Sequence, residues 1–170
     1  SSIATTPASA GVADRATFLQ ADLFETDFSQ ATVITMFLLP SINMKLRPKI
    51  LDLRPGTRIV SNSFTMEDWE ADETATVEGD CSSWCTAYFW IVPAKVEGVW
   101  QTSRGALTIR QQFQTFAGTL GSATLEGGRL RGGAIEFTAG GAHYTGRVNG
   151  TAMQGTVTGG SNGSWTATRQ

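Results

Sequence analysis

Two hydrophobic rhythms divide this sequence. In the first part the apolar residues come in runs. Ala31 to Leu39 reads Ala-Thr-Val-Ile-Thr-Met-Phe-Leu-Leu, nearly continuous and rich in β-branched residues. Such a run predicts a strand buried on both faces, as in a parallel sheet. Ala16 to Ala21, with Thr17, Phe18 and Leu19 and closed by Asp22, predicts an earlier strand. Pro40-Ser41 then starts a helix that Ser41 can cap, with Ile42, Leu46, Ile50 and Leu53 at helical spacing. Pro48 lacks a backbone donor and must kink or split that helix, and Arg54-Pro55-Gly56 ends it. Thr57 to Phe64 and Tyr88 to Val92 read as further strands, and residues 1–13 as an irregular lead. Strand, strand, helix, strand with short links implies a parallel sheet with right-handed crossovers.

After Ala94 the runs shorten and begin to alternate. Val99-Trp100-Gln101, Leu107 to Arg110, Phe113 to Leu120, Leu130, Ile135 to Phe137, Tyr144 to Val148, Met153 to Val157 and Trp165 to Ala167 follow one another at short, even spacing. Between them stand Gly127-Gly128, Gly132-Gly133, Gly140-Gly141, Asn149-Gly150, Gly159-Gly160 and Asn162-Gly163. Even strands with such turns predict an antiparallel meander, and about seven of them can curl into a small barrel or sandwich.

Composition sharpens the division. Residues 1–94 carry 12 acidic side chains against 6 basic, and residues 95–170 carry 3 against 7. Sixteen of the 19 glycines lie after residue 95. Both shifts place a boundary near Pro93-Ala94, giving domains 1–94 and 95–170 and a fold class of α/β followed by all-β. The net charge of −2 recruits neither nucleic acid nor a membrane surface, and the apolar run Met36–Leu39 is far too short to cross a bilayer. Ser1 opens on no secretory signal, which suits a cytoplasmic protein or a processed one, as in a periplasm.

The chemical candidates are few. Cys81 and Cys85 read either as two thiols or as a local disulfide in an oxidising compartment. With one histidine in the chain, His143, a zinc site has no ligand set, so no metal is expected. His143 lies between Ala142 and Tyr144 and should point to the outer face of its strand, and no nucleophile elbow accompanies it. Asn149-Gly150-Thr151 and Asn162-Gly163-Ser164 match the glycosylation pattern but read as turns. Glu67, Asp68, Glu70, Asp72, Glu73, Glu78 and Asp80 have no base among them, which fits a solvated loop or a lip that attracts a basic substrate. Arg129, Arg131, Arg147 and Arg169 would give the second part a weakly basic face, suited to the acidic run, a partner or an anionic glycan.

Three stretches together resemble a known family. They are Ala21-Asp22-Leu23-Phe24-Glu25 through Asp27-Phe28-Ser29, Thr32 through Phe37-Leu38-Leu39-Pro40, and Leu46-Arg47-Pro48 with Pro55-Gly56-Thr57-Arg58-Ile59-Val60-Ser61. Over residues 10–94 this layout resembles class I (Rossmann-like) S-adenosylmethionine-dependent methyltransferases, bacterial ones and the mitochondrial-type protein-lysine enzymes in particular. The resemblance implies the second half of a Rossmann-like sheet, followed here by the Gly-rich barrel or sandwich. It implies S-adenosylmethionine as cofactor, with Asp22 accepting from the adenine amino group, Leu23 covering the ring and Phe37 beside it. It places Leu38, Leu39 and Pro40 at the catalytic loop, where no polar group stands, so that positioning rather than a base would serve the reaction. Plain core packing is the other reading of Leu38 and Leu39.

The pattern also departs from the family. Residues 1–10 contain no Gly-x-Gly, and no acid for the ribose hydroxyls can be found. In the usual strand order 3-2-1-4-5, the missing strands belong between those present. Either a complementing N-terminal piece or a second copy in a homodimer would then fill the gap. The implied function is methyl transfer to an amine, a protein lysine on a basic protein substrate being the natural case, by a truncated member. The alternative is a non-catalytic remnant whose β-domain binds a ligand or partner, or a periplasmic accessory module.

Overall fold

The computed structural model describes residues 11–170 apart from 13 and 161, so residues 1–10 of the expected irregular lead lie outside it. Residues 1–30 and 31–170 form two separate compact units. In the first, the described residues form turns: Val12 O accepts from Arg15 N and Ala16 N at 2.9 and 3.0 Å. The strand expected over Ala16–Ala21 is not formed. Phe18 and Leu19 are 58% and 79% exposed, and an extended segment without a neighbouring strand has nowhere to place its backbone hydrogen bonds.

The second unit begins with β1 (Val33–Met36), α1 (Pro40–Leu51), β2 (Arg58–Asn62), β3 (Glu73–Thr76) and β4 (Thr86–Ile91), in a sheet of order β1-β2-β4-β3. Only β1 and β2 run parallel, joined through α1; β4 lies antiparallel to both β2 and β3. The all-parallel expectation is therefore corrected to a mixed sheet. β1 is also shorter than its apolar run and not buried on both faces: Val33 and Thr35 are exposed and only Met36 is buried, and among the described residues the strand has a neighbour on one side alone.

α1 buries Asn43, Leu46 and Ile50 against this sheet. Its start differs from expectation. Leu39 is the N-cap, Pro40 occupies the first turn, and Ser41 makes no capping bond; Leu39 O instead accepts from Ile42 N and Asn43 N. Pro48 sits inside one continuous helix without splitting it. It lies on the exposed face, where water can satisfy the carbonyl that lost its donor.

The acidic run is not one solvated loop. Met66 and Trp69 turn inward and are fully buried, and Glu73–Thr76 forms β3. Trp90 Nε1 donates to Trp69 O at 2.9 Å, tying this turn to β4.

Eight further strands follow: β5 (Gly98–Thr102), β6 (Gly105–Gln112), β7 (Thr115–Leu120), β8 (Ala123–Arg131), β9 (Ala134–Ala139), β10 (Ala142–Asn149), β11 (Ala152–Thr158) and β12 (Gly163–Arg169). They close into an antiparallel barrel in sequence order, β12 pairing with β5. The meander is thus a barrel rather than a sandwich. Phe113 lies in the β6–β7 turn at φ 53° rather than in a strand. Side chains fill the interior. Phe137 stacks on Tyr144 at 4.8 Å and meets Trp165 and Phe116 edge-on at 5.6 and 6.0 Å. A small barrel packed this way is a core, not a channel. Gly146 and Gly155 oppose each other across β10 and β11, and a Cβ on Gly155 would lie 1.8 Å from Thr145 O.

Sheet and barrel meet over a defined surface. The ring of Trp69 stacks on Phe113 at 5.8 Å, with the Arg47 guanidinium 5.2 Å from the Phe113 ring. Buried Gln114 donates to Glu70 O at 2.8 Å. Arg131 pairs with Glu73 at 2.9 Å, and Arg129 lies 3.9 Å from Asp72. Two arginines of the basic face therefore meet the acidic run. The connector Pro93–Glu97 is held by Gln111, which donates to Ala94 O and accepts from Val96 N, and by Arg169, which donates to Lys95 O and Glu97 O.

Candidate functional site

Parallel strands joined through a helix leave their ligand edge at the carboxyl ends of the strands. Here that edge carries the segments following β1 and β2, and the β3–β4 hairpin loop reaches the same place. Phe37, directly after β1, is 56% exposed, and Leu39 is 59% exposed. Leu38 is half-buried and Pro40 exposed, so this turn is not core packing throughout. Phe64 follows β2, which ends where Ser63 takes φ 65°. Ser61 Oγ donates to Phe64 O at 2.6 Å and Asn43 Nδ2 donates to Thr65 O at 3.1 Å, so the sheet and α1 both fix this turn.

The third contributor is Trp84. Cys81 and Cys85 form a disulfide, which settles the two readings of that pair, and Trp84 lies between them. It takes φ 61°, a conformation that costs a bulky residue about 1–3 kcal/mol and persists where the surroundings impose it. Val77 N donates to Cys85 O at 2.8 Å across the neck of the loop. Trp84 is 59% exposed, whereas Trp69, Trp90, Trp100 and Trp165 are all buried. Its ring meets Phe37 edge-on at 5.1 Å and Phe64 at 5.9 Å, and Phe37 lies 5.7 Å from Phe64. Sequence reasoning found Phe37 but missed Phe64 and Trp84. The available signal was the pair of cysteines flanking an aromatic residue one strand away.

Phe37, Leu38, Leu39 and Pro40 belong to the second unit, and Asp22 and Leu23 to the leading one. Asp22 shapes a turn there: its Oδ1 accepts from Phe24 N at 2.8 Å, and its carbonyl accepts from Thr26 Oγ1 at 2.6 Å. Leu23 is 39% exposed. The ring of His143 is exposed on the outer barrel wall, 3.3 Å from Thr138 Oγ1. Among the described residues no group of His, Cys, Asp and Glu could hold a metal ion, and no helix is long and apolar enough to cross a membrane.

Two carboxyls in this unit are perturbed. The Asp72 side chain is 1% exposed; desolvation pushes its pKa up, against the Ile91 N–H that it accepts at 2.8 Å and the charges of Arg129 and Arg131. The hydrogen bond from Arg47 holds exposed Asp68 below the usual carboxylate range. Neither lies on the aromatic edge.

Residues 2–73 match the family model of the ANTKMT methyltransferase domain. This segment is similar to methyltransferase sequence. A protein-lysine N-methyltransferase of Saccharolobus islandicus (strain REY15A) is 42% identical over 83 residues, 48% of this chain and 51% of that protein. An RNA methyltransferase from Salinibacter ruber, crystallised in complex with S-adenosyl-L-homocysteine, is 48% identical. That match covers 52% of this chain and 56% of the other, with a TM-score of 0.48. The chain thus spans about half the length of these relatives. The methyltransferase match takes in the Asp22 turn, all of β1, α1 and β2, and Phe37 and Phe64; it ends at the start of β3, before Trp84 and the barrel.

Proposed function

We propose that this chain carries part of the working surface of an S-adenosylmethionine-dependent methyltransferase that methylates an amine, the ε-amine of a protein lysine being the acceptor. The match over residues 2–73 carries this reading, since it includes both Asp22 and the segment after β1. When bound, S-adenosylmethionine supplies an electrophilic methyl group on a sulfonium. Asp22 is exposed and suits an adenine amino group, and Phe37 offers an apolar wall. A loop–helix start whose backbone can approach the cofactor closely is the missing part. The described residues before β1 form no such element, and residues 1–10 have no Gly-x-Gly. The fit is therefore to part of the cofactor only.

The open side of β1 supports a complementing piece. Among the described residues β1 pairs with β2 alone, and Val33 is 44% exposed. An unpaired apolar strand edge is a template for another strand. We propose that a complementing segment, or a second copy in a homodimer, pairs there and brings the glycine loop. Calorimetric titration with S-adenosylhomocysteine, beside Asp22→Ala, tests the reading. Micromolar binding lost in the variant supports it. A folded chain that binds nothing, alone and after addition of the relatives' leading segment, sinks it. The second reading, a non-catalytic protein whose barrel is the binding module, is favoured by the barrel's complete core and gains ground on that outcome.

A further inference from the structure

We propose that Phe37, Phe64 and Trp84 form a binding site for an alkylammonium group, presented by the disulfide-closed hairpin loop. The proposal deepens the methyl-transfer reading by giving the amine acceptor a place to dock, and it rests on that reading for its role. Trp84 and Phe37 stand nearly perpendicular, at 83°, with centroids 5.1 Å apart. An edge-on pair makes a corner with two ring faces as walls, and Phe64, tilted 36° to Phe37, adjoins it. Both wall residues are more than half exposed. A compact cation within about 6 Å of two ring centroids is attracted by both quadrupoles, and quaternary ammonium groups are commonly recognised this way. A neutral apolar group gains only the contact.

Charge in the same loop points the same way. Glu78 and Asp80 are exposed beside Cys81, and among the described residues neither has an ion-pair partner. Three other acids of the run face arginines: Asp68 meets Arg47, Asp72 meets Arg129 and Glu73 meets Arg131. Two of the run's unpaired negative charges, Glu78 and Asp80, therefore sit on the segment that carries Trp84. The Cys81–Cys85 bond makes this loop a closed ring of five residues, within which Trp84 has its positive φ.

Choline and its carbon isostere, in which carbon replaces the quaternary nitrogen, are the probes. The readout is the indole N–H resonance of Trp84, assigned with Trp84→Phe. Choline should shift it saturably at concentrations on the order of millimolar, and the isostere should bind about fivefold more weakly or worse. Phe37→Leu should weaken choline by a similar factor. Reduction of the disulfide, or Cys81→Ser with Cys85→Ser, should abolish the shift while the buried indole resonances stay in place. If the double variant loses its fold, Trp84→Leu in the oxidised protein, followed through the Phe37 ring signals, decides instead. Equal binding of the two probes would reduce the site to an apolar patch and overturn the proposal, as would an unmoved Trp84. Calorimetry with S-adenosylhomocysteine on the same sample separates the two readings. Cofactor binding without choline binding removes the acceptor site alone, and choline binding without cofactor binding, both alone and after addition of the relatives' leading segment, removes the methyl-transfer reading.

Discussion

The barrel and the four-stranded sheet solve the same problem in different ways. Each barrel strand has two neighbours, so no edge is left, and the large rings Trp100, Phe116, Phe137, Tyr144 and Trp165 all lie inside. In the sheet, β1 keeps an open edge, and Phe37, Leu39 and Trp84 face solvent at its carboxyl end. A closed sheet spends its apolar residues on its own core. An open one leaves some of them outside, and here that surplus includes the aromatic corner. Within residues 31–170 the large apolar side chains more than half exposed, Phe37, Leu39, Val77 and Trp84, all stand in the segments after β1 and between β3 and β4, so the exposure in this unit is local and organised.

The largest expected effect tests the self-sufficiency of the barrel. Phe137 is 1% exposed and touches three other rings. Phe137→Ala should cost about 3–5 kcal/mol in denaturant unfolding. A loss below about 1 kcal/mol would mean the core is looser than its ring contacts imply. Next comes the seam between the two regions. Gly132, at φ 58° in the β8–β9 turn, approaches Gly56 so closely that a Cβ would lie 2.9 Å from the Gly56 Cα. Both obstacles are backbone, so neither can swing aside. Gly132→Ala should cost about 1–3 kcal/mol and split one unfolding transition into two, the sheet melting first. A single transition at an unchanged midpoint would show that the seam does not couple the regions.

How much of this was legible in the sequence follows from where the hydrogen bonds go. The barrel strands were readable because each alternates against sequential neighbours, joined by turns such as Asn149-Gly150. The βα unit was readable from the run before Pro40 and the spacing of Leu46 and Ile50. What failed depended on partners distant in the chain. Ala16–Ala21 has strand composition but no strand beside it, and β3 hid in an acidic run because its pairing with β4 reaches across the disulfide loop. For the site, Phe37 could be found from the family layout. Phe64 and Trp84 could not, since only the fold of β2 and β4 brings their flanking turns together.

A smaller effect sharpens the seam by pH. Asp72 is buried between sheet and barrel, and its folded pKa is raised, so the folded protein holds that proton more tightly than the unfolded chain does. The sign follows: its contribution to stability is greatest when it is protonated and falls as pH rises from the ordinary carboxylate range through the raised folded value. Asp72→Asn keeps an oxygen for the Ile91 N–H and removes the charge. It should therefore gain up to about 1 kcal/mol at neutral pH, with the gain vanishing in acid. A variant less stable than the parent at neutral pH would mean that Arg129 and Arg131 outweigh desolvation.

The smallest expected change in stability tests the open edge. Val33 begins β1, is 44% exposed, and has no strand on its outer side among the described residues. Val33→Lys should shift unfolding by less than about 0.5 kcal/mol, since little contact is lost. Its effect on association should be far larger. A lysine on an edge strand opposes pairing with another chain, both by charge and by the cost of covering it. If β1 accepts a complementing strand or a second copy, the variant should stay monomeric by light scattering at concentrations where the parent associates, and should lose any cofactor binding that depends on that piece. If parent and variant scatter alike as monomers, the edge is tolerated as it stands. The two regions would then differ in architecture but not in what they require.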